Sequence, residues 1–146
     1  MYMESLISLS KICQRLTETI PVNLKARYMS LDLAKRFKAS VVQLVLDGKP
    51  QDALERLADY YHVNTPRMKV GLPKGHRKNV LGCYTAKDRT ISVLNSDILK
   101  EPMVVIHEFY HHLRTRGDRI HRGTEKNAME FAKDYVESYI SVLRTG

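Results

Sequence analysis

Pro102-Met103-Val104-Val105-Ile106-His107-Glu108-Phe109-Tyr110-His111-His112-Leu113-Arg114 is the stretch that decides the fold. Proline suits the first position of a helix. The residues after it are apolar nearly all round, which is the pattern of a buried helix. His107 and His111 stand four apart, so on a helix one lies above the other and both imidazoles reach one metal ion. Glu108 is rotated about 100° from His107. From there it flanks the ion and can hydrogen-bond a water beside it. The bland alternative is a buried helix that merely carries two histidines. His112 falls away from the ligand face and reads as exposed, or as a support behind the ligands.

Two imidazoles do not complete a catalytic metal site, which needs three protein ligands and one open position. A metzincin would place Gly at 114 and His at 117, where this chain has Arg114 and Gly117. Beyond a polar loop over 115–123, Thr124 is a good N-cap for a final helix reaching about Leu143. On a helical wheel Glu125 shares a face with Ala128, Met129, Ala132, Val136, Tyr139 and Leu143. Glu130, Asp134, Glu137, Ser138 and Ser141 fall opposite. A carboxylate aimed into a core is costly unless it is paired or metal-bound. Glu125 is therefore the leading third ligand, and Ala128 and Ala132 would let the two helices approach closely. The competing explanation is a first-turn acid favoured by the helix dipole. His121, in the basic loop, is the rival ligand.

Upstream of Pro102 the period changes to two. Met68, Val70 and Leu72 alternate with polar or small residues, and Asn79–Thr85 and Arg89–Leu94 are further strand candidates. Ala86-Lys87-Asp88 is a plausible hairpin turn. In the last strand Ile91 and Val93 point one way, and Thr90, Ser92 and Leu94 the other. Earlier still the pattern is helical. Residues 3–18 space Leu6, Ile7, Leu9, Ile12, Cys13 and Leu16 along one face. A second helix runs from about Asn23 to Leu46, with a break expected near Tyr28-Met29-Ser30. Asp47-Gly48-Lys49-Pro50 stops it and starts a third, Gln51–Tyr61, which buries Ala53, Leu54, Leu57, Ala58 and Tyr61.

The 146 residues suit one domain, or a small unit over 49–146 with an accessory helical segment over 1–48. No apolar run reaches the roughly 20 residues that span a bilayer. The N-terminus, with Glu4, Lys11, Arg15 and Glu18, does not read as a signal peptide. With only two cysteines, Cys13 and Cys83, and no Cys-x-x-Cys pair, the chain reads as intracellular and cytoplasmic. His62 and His76 lie in linkers, where exposure is the default. The net charge of +8 is densest at Lys74–Lys78 and Arg114–Arg122. Such a surface attracts acidic partners, yet no groove-reading nucleic-acid motif is present, and a solvated basic face is the simpler reading.

Over about residues 50–140 the chain resembles the gluzincins, zinc metallopeptidases with a His-Glu-x-x-His helix and a glutamate ligand on a following helix. It is most similar to archaeal minigluzincins and ImmA/IrrE-like peptidases. The likeness rests on Leu57-Ala58-Asp59-Tyr60-Tyr61, Gly82-Cys83-Tyr84, Ile91-Ser92-Val93-Leu94-Asn95, the 107–111 pentad, and Glu125-Lys126-Asn127-Ala128-Met129-Glu130-Phe131-Ala132. Met129 departs from the ImmA/IrrE pattern, where Asn is common. The resemblance implies one catalytic Zn²⁺ on His107, His111 and Glu125, and Glu108 as general base. It also implies a substrate-pairing rim at Ile91, Ser92 and Val93.

The expected fold is α+β and zincin-like: N-terminal helices, a small, mostly antiparallel three-stranded sheet, the buried metal helix and a C-terminal helix carrying the third ligand. The expected chemistry is amide hydrolysis of a peptide or protein. Zinc would polarise the carbonyl and acidify a water, and Glu108 would carry the proton to the leaving amine. Tyr110, His112, His121 and Tyr135 are candidates to steady the oxyanion. Residues 1–48 suit a pro-segment that makes the enzyme latent, or an arm for a homodimer. The rival from another class is a metal-binding regulatory or interaction module with little proteolysis. The resemblance does not extend to residues 1–48.

Overall fold

The computed structural model describes residues 22–75, 79–115 and 124–145. The expected first helix over 3–18, Cys13, His76, His121 and most of the two basic clusters lie outside them. Helix α1 runs without interruption from Val22 to Leu46. The break expected at Tyr28-Met29-Ser30 does not occur, because neither Gly nor Pro stands there and a lone Ser is tolerated inside a helix. Among its described side chains, those that enter the core, Ala39, Val41, Val42 and Val45, stand in its second half. Gly48 adopts a positive φ of 77°. Its N–H donates to Val45 O and that of Lys49 donates to Leu44 O, which together close a Schellman motif.

Helix α2, Pro50–Tyr61, starts on its proline and buries Ala53, Leu54, Leu57 and Ala58. Gln51 ties it to the sheet, accepting from Met68 N and donating to Pro66 O. Strands β1 (Arg67–Val70), β2 (Gly82–Thr85) and β3 (Thr90–Val93) form one sheet in the order β1-β3-β2. β2 pairs antiparallel with β3, but β1 pairs parallel with it. The sheet is mixed, not mostly antiparallel. The short 86–89 turn forces the β2–β3 hairpin to be antiparallel. The longer link from β1 crosses to the far edge, so β3 returns beside β1 in the same direction. Alternation within a strand reports its faces and carries no signal of its neighbour's direction.

A 3₁₀ turn, Ser96–Lys100, leads into helix α3, Pro102–Thr115. Val105, Ile106, Phe109 and His112 of α3 are fully buried. It packs on β2 and on helix α4, Thr124–Thr145. The buried face of α4 is Ala128, Ala132, Tyr135 and Ser138. Met129, 51% exposed, and Leu143, 60% exposed, are not in the core, contrary to the helical wheel. The reason is that α4 is held between two helices. α3 covers one side and α1 the other, where Lys38 pairs with Asp134 and Tyr139 donates to Gln43 Oε1. The buried arc is therefore turned toward Tyr135. Ala128 and Ala132 are both fully buried, as close approach of the helices requires. No helix among the described residues is long and apolar enough to cross a membrane.

Candidate metal centre

His107 and His111 present their Nε2 atoms from one face of α3, 3.3 Å apart. Glu125, in the first turn of α4, closes the triangle. Its Oε2 lies 3.1 Å from His107 Nε2 and its Oε1 lies 2.9 Å from His111 Nε2. The three residues form a group whose ligand atoms all lie within 4.8 Å of one another. Ligands about 2.1 Å from a tetrahedral ion sit roughly 3.4 Å from each other, so these spacings fit a single zinc-sized cation. The donor chemistry fits as well: two imidazole nitrogens and one carboxylate are a set that binds catalytic zinc. Two facing imidazole nitrogens make at best one poor hydrogen bond with each other, whereas a shared cation satisfies both lone pairs.

Burial pushes His111 below its ordinary value despite the adjacent Glu125 carboxylate, which favours the neutral ring that can coordinate. Glu125 itself was expected to point into the core. Its side chain is 80% exposed, and it approaches the histidines from the solvent end of α4. The close packing at Ala128, one turn on, sets that approach, and no buried charge is involved.

Glu108 is buried between α3 and β2. A Cβ added to Gly82 would lie 2.8 Å from Val104 Cγ1 and 3.4 Å from Glu108 Cγ. Glycine at the start of β2 is thus what lets the strand lie against α3. Burial raises the Glu108 carboxyl to about 7, and the nearby Glu125 charge adds to the rise. A group at that value exchanges protons readily near neutral pH.

Of the remaining candidates, His121 lies outside the described residues, and Tyr110 meets the ring of His111 edge-on with centroids 6.5 Å apart. Ile91, Ser92 and Val93 are buried in β3, the central strand, with both edges paired. They cannot pair with a substrate. Among the described strands the free edges belong to β1 and β2. Tyr135 is in the core, its hydroxyl 2.8 Å from that of Tyr61, and burial raises its pKa far above the ordinary value. Tyr110 packs on Phe131 and accepts a hydrogen bond from Arg114 Nε at 3.0 Å. His112 is not exposed. It is fully buried, with Nδ1 2.8 Å from the Tyr84 hydroxyl and Nε2 2.6 Å from Asn64 O. The contributions of Gly82, Tyr84 and Asn64 were not foreseen. A glycine opening a strand was a readable sign of close approach at 82; nothing local to Tyr84 or Asn64 announces their shared partner.

No protein-family model, curated protein or solved structure matches the chain.

Proposed function

We propose that the chain is a zinc-dependent peptidase of gluzincin type, with His107, His111 and Glu125 holding one ion and Glu108 as general base. The observation that carries this reading is the convergence of three ligand atoms from two helices within 4.8 Å. Zinc bound there would polarise a carbonyl and make a water a ready nucleophile near neutral pH. Glu108 is buried one residue from a ligand, with a carboxyl raised to about 7. It would take a proton from that water and pass it to the leaving amine. The outer edge of β2 begins at Gly82, against Glu108, and has no partner strand among the described residues, so its backbone groups could meet an extended polypeptide. That edge replaces β3 as the expected substrate rim.

The test is metal content and turnover together. The wild-type chain should carry one zinc and cleave an unfolded protein substrate, with Glu108→Gln retaining zinc and losing cleavage. Full cleavage by Glu108→Gln rejects the assignment. One observation favours the second reading, an interaction or regulatory module that binds metal without cleaving. Tyr28, Met29, Leu31 and Leu33 stand more than half exposed on the first half of α1, on two stripes parted by the exposed Asp32–Arg36 ion pair, apolar area that a partner or a second copy could cover. A full-length chain that binds zinc and leaves unfolded protein substrates uncut supports that module.

A further inference from the structure

We propose that Tyr84 and His112 are positioning residues of the metal centre. Their hydrogen-bonded bridge fixes the rotation of α3 about its own axis, and with it the aim of His107 and His111. The inference rests on the metal-site reading above and adds to it residues that touch no ligand atom. His112 follows ligand His111 directly, about 100° further round the helix. It therefore points into the core while His107 and His111 turn toward Glu125 on α4. Both of its ring nitrogens are engaged there. Nδ1 meets the Tyr84 hydroxyl from β2 at 2.8 Å, and Nε2 donates to Asn64 O, ahead of β1, at 2.6 Å. The Tyr84 ring also meets the imidazole edge-on, with centroids 5.3 Å apart. One side chain of α3 is thus tied to two separate parts of the chain.

The geometry explains why such a tie is needed. Val105, Ile106 and Phe109 hold α3 in the core by apolar packing, which carries no directional preference. Side-chain tips stand about 6 Å from a helix axis, so a roll of roughly 10° moves an imidazole nitrogen by about 1 Å. A metal site tolerates about 0.2 Å. Hydrogen bonds weaken steeply when misaligned. Two of them, made by a fully buried ring, resist a roll that packing alone would allow. A buried imidazole that lost one partner would also leave a polar atom unsatisfied.

The test uses the full chain, titrated with Co²⁺ for its visible d–d bands and with Zn²⁺ by chelator competition. Each protein is measured where circular dichroism shows it folded. Tyr84→Phe removes one hydroxyl and keeps the ring. It should weaken zinc binding about 10- to 100-fold, the range seen when residues behind metal ligands are changed, and alter the Co²⁺ spectrum. His112→Gln, whose amide reaches only part of the bridge, should do the same in an independent background. Ile106→Val, on the same helix and also fully buried, is the control: it should lose stability yet keep wild-type affinity and spectrum. Tyr84→Phe and His112→Gln proteins with wild-type zinc affinity and unchanged cobalt bands overturn the inference, even if both are less stable. So does an Ile106→Val protein that loses affinity equally, since general loosening would then suffice. Failure of the wild-type chain to bind either metal is a different result, which removes the metal reading itself.

Discussion

Glu108 makes the metal-free protein's stability depend on pH in a direction that can be calculated. Its carboxyl rises from an ordinary 4.5 to about 7 in the folded chain, mainly through burial and secondly through Glu125. Between those two values the folded state holds a proton that the unfolded state has released. Stability therefore falls as pH rises through this window. Below 4.5 both states are protonated and the group contributes nothing. Above 7 both are ionised, and the folded state bears the full penalty of the buried charge. At about 1.4 kcal/mol per pH unit the rise is worth about 3 kcal/mol. Glu108→Gln removes the charge at every pH and keeps the shape. The measurement is urea unfolding of both proteins, in excess chelator, at half-unit steps from pH 4.5 to 8. Wild type minus variant should fall by about 3 kcal/mol across the range. The lowered value of His111 gives an opposite slope, stability being lost as pH falls below the ordinary histidine range, but both proteins share it and the subtraction removes it. Adding zinc should shrink the difference, because a nearby cation favours the carboxylate. A difference that stays flat in chelator refutes the burial argument and with it the placement of Glu108 against β2.

Other expectations follow from the same contacts. Glu125→Ala should lower the zinc content of the purified protein and remove most of the zinc-induced rise in melting temperature, a gain of about 2.7 kcal/mol for wild type at a hundredfold excess over Kd; unchanged stoichiometry points to His121 instead. Gly82→Ala drives a methyl to within 2.8 Å of Val104 Cγ1. Chemical denaturation should show a loss of about 1–3 kcal/mol, and equal stability would mean that β2 lies further from α3. Tyr61→Phe leaves the fully buried Tyr135 hydroxyl without its 2.8 Å partner. It should cost about 1–3 kcal/mol, while Tyr61→Phe with Tyr135→Phe should recover part of that loss. Additive losses in the double variant would argue against the pair.

What the sequence disclosed, and what it hid, divides along one physical line: patterns that repeat along the chain were readable, and relations across it were not. Helix α3 and its paired histidines were readable because apolar periodicity, a first-position proline and the four-residue spacing are all local. Glycine at 48 and proline at 50 marked the α1–α2 joint for the same reason. The parallel pairing of β1 with β3 was hidden, since alternation in Met68 and Val70 is identical for either direction. Glu125 was found by a wheel that misplaced its neighbours. Met129 and Leu143 share its stripe, yet they are exposed because α1 and α3 together turn the buried arc toward Tyr135. The wheel still selected the right residue for approach because Ala128 and Ala132, which allow the helices to meet, lie on both its arc and the true one. His112 marks the sharpest limit. Its spacing correctly turned it away from the ligands, but exposure and burial both satisfy that spacing. Only Tyr84 on β2 and the carbonyl of Asn64, 28 and 48 residues away, decide between them. If the proposed centre holds zinc and the Tyr84–His112 bridge aligns it, exposed residues beside the site other than Glu125 should tolerate change better than that bridge does.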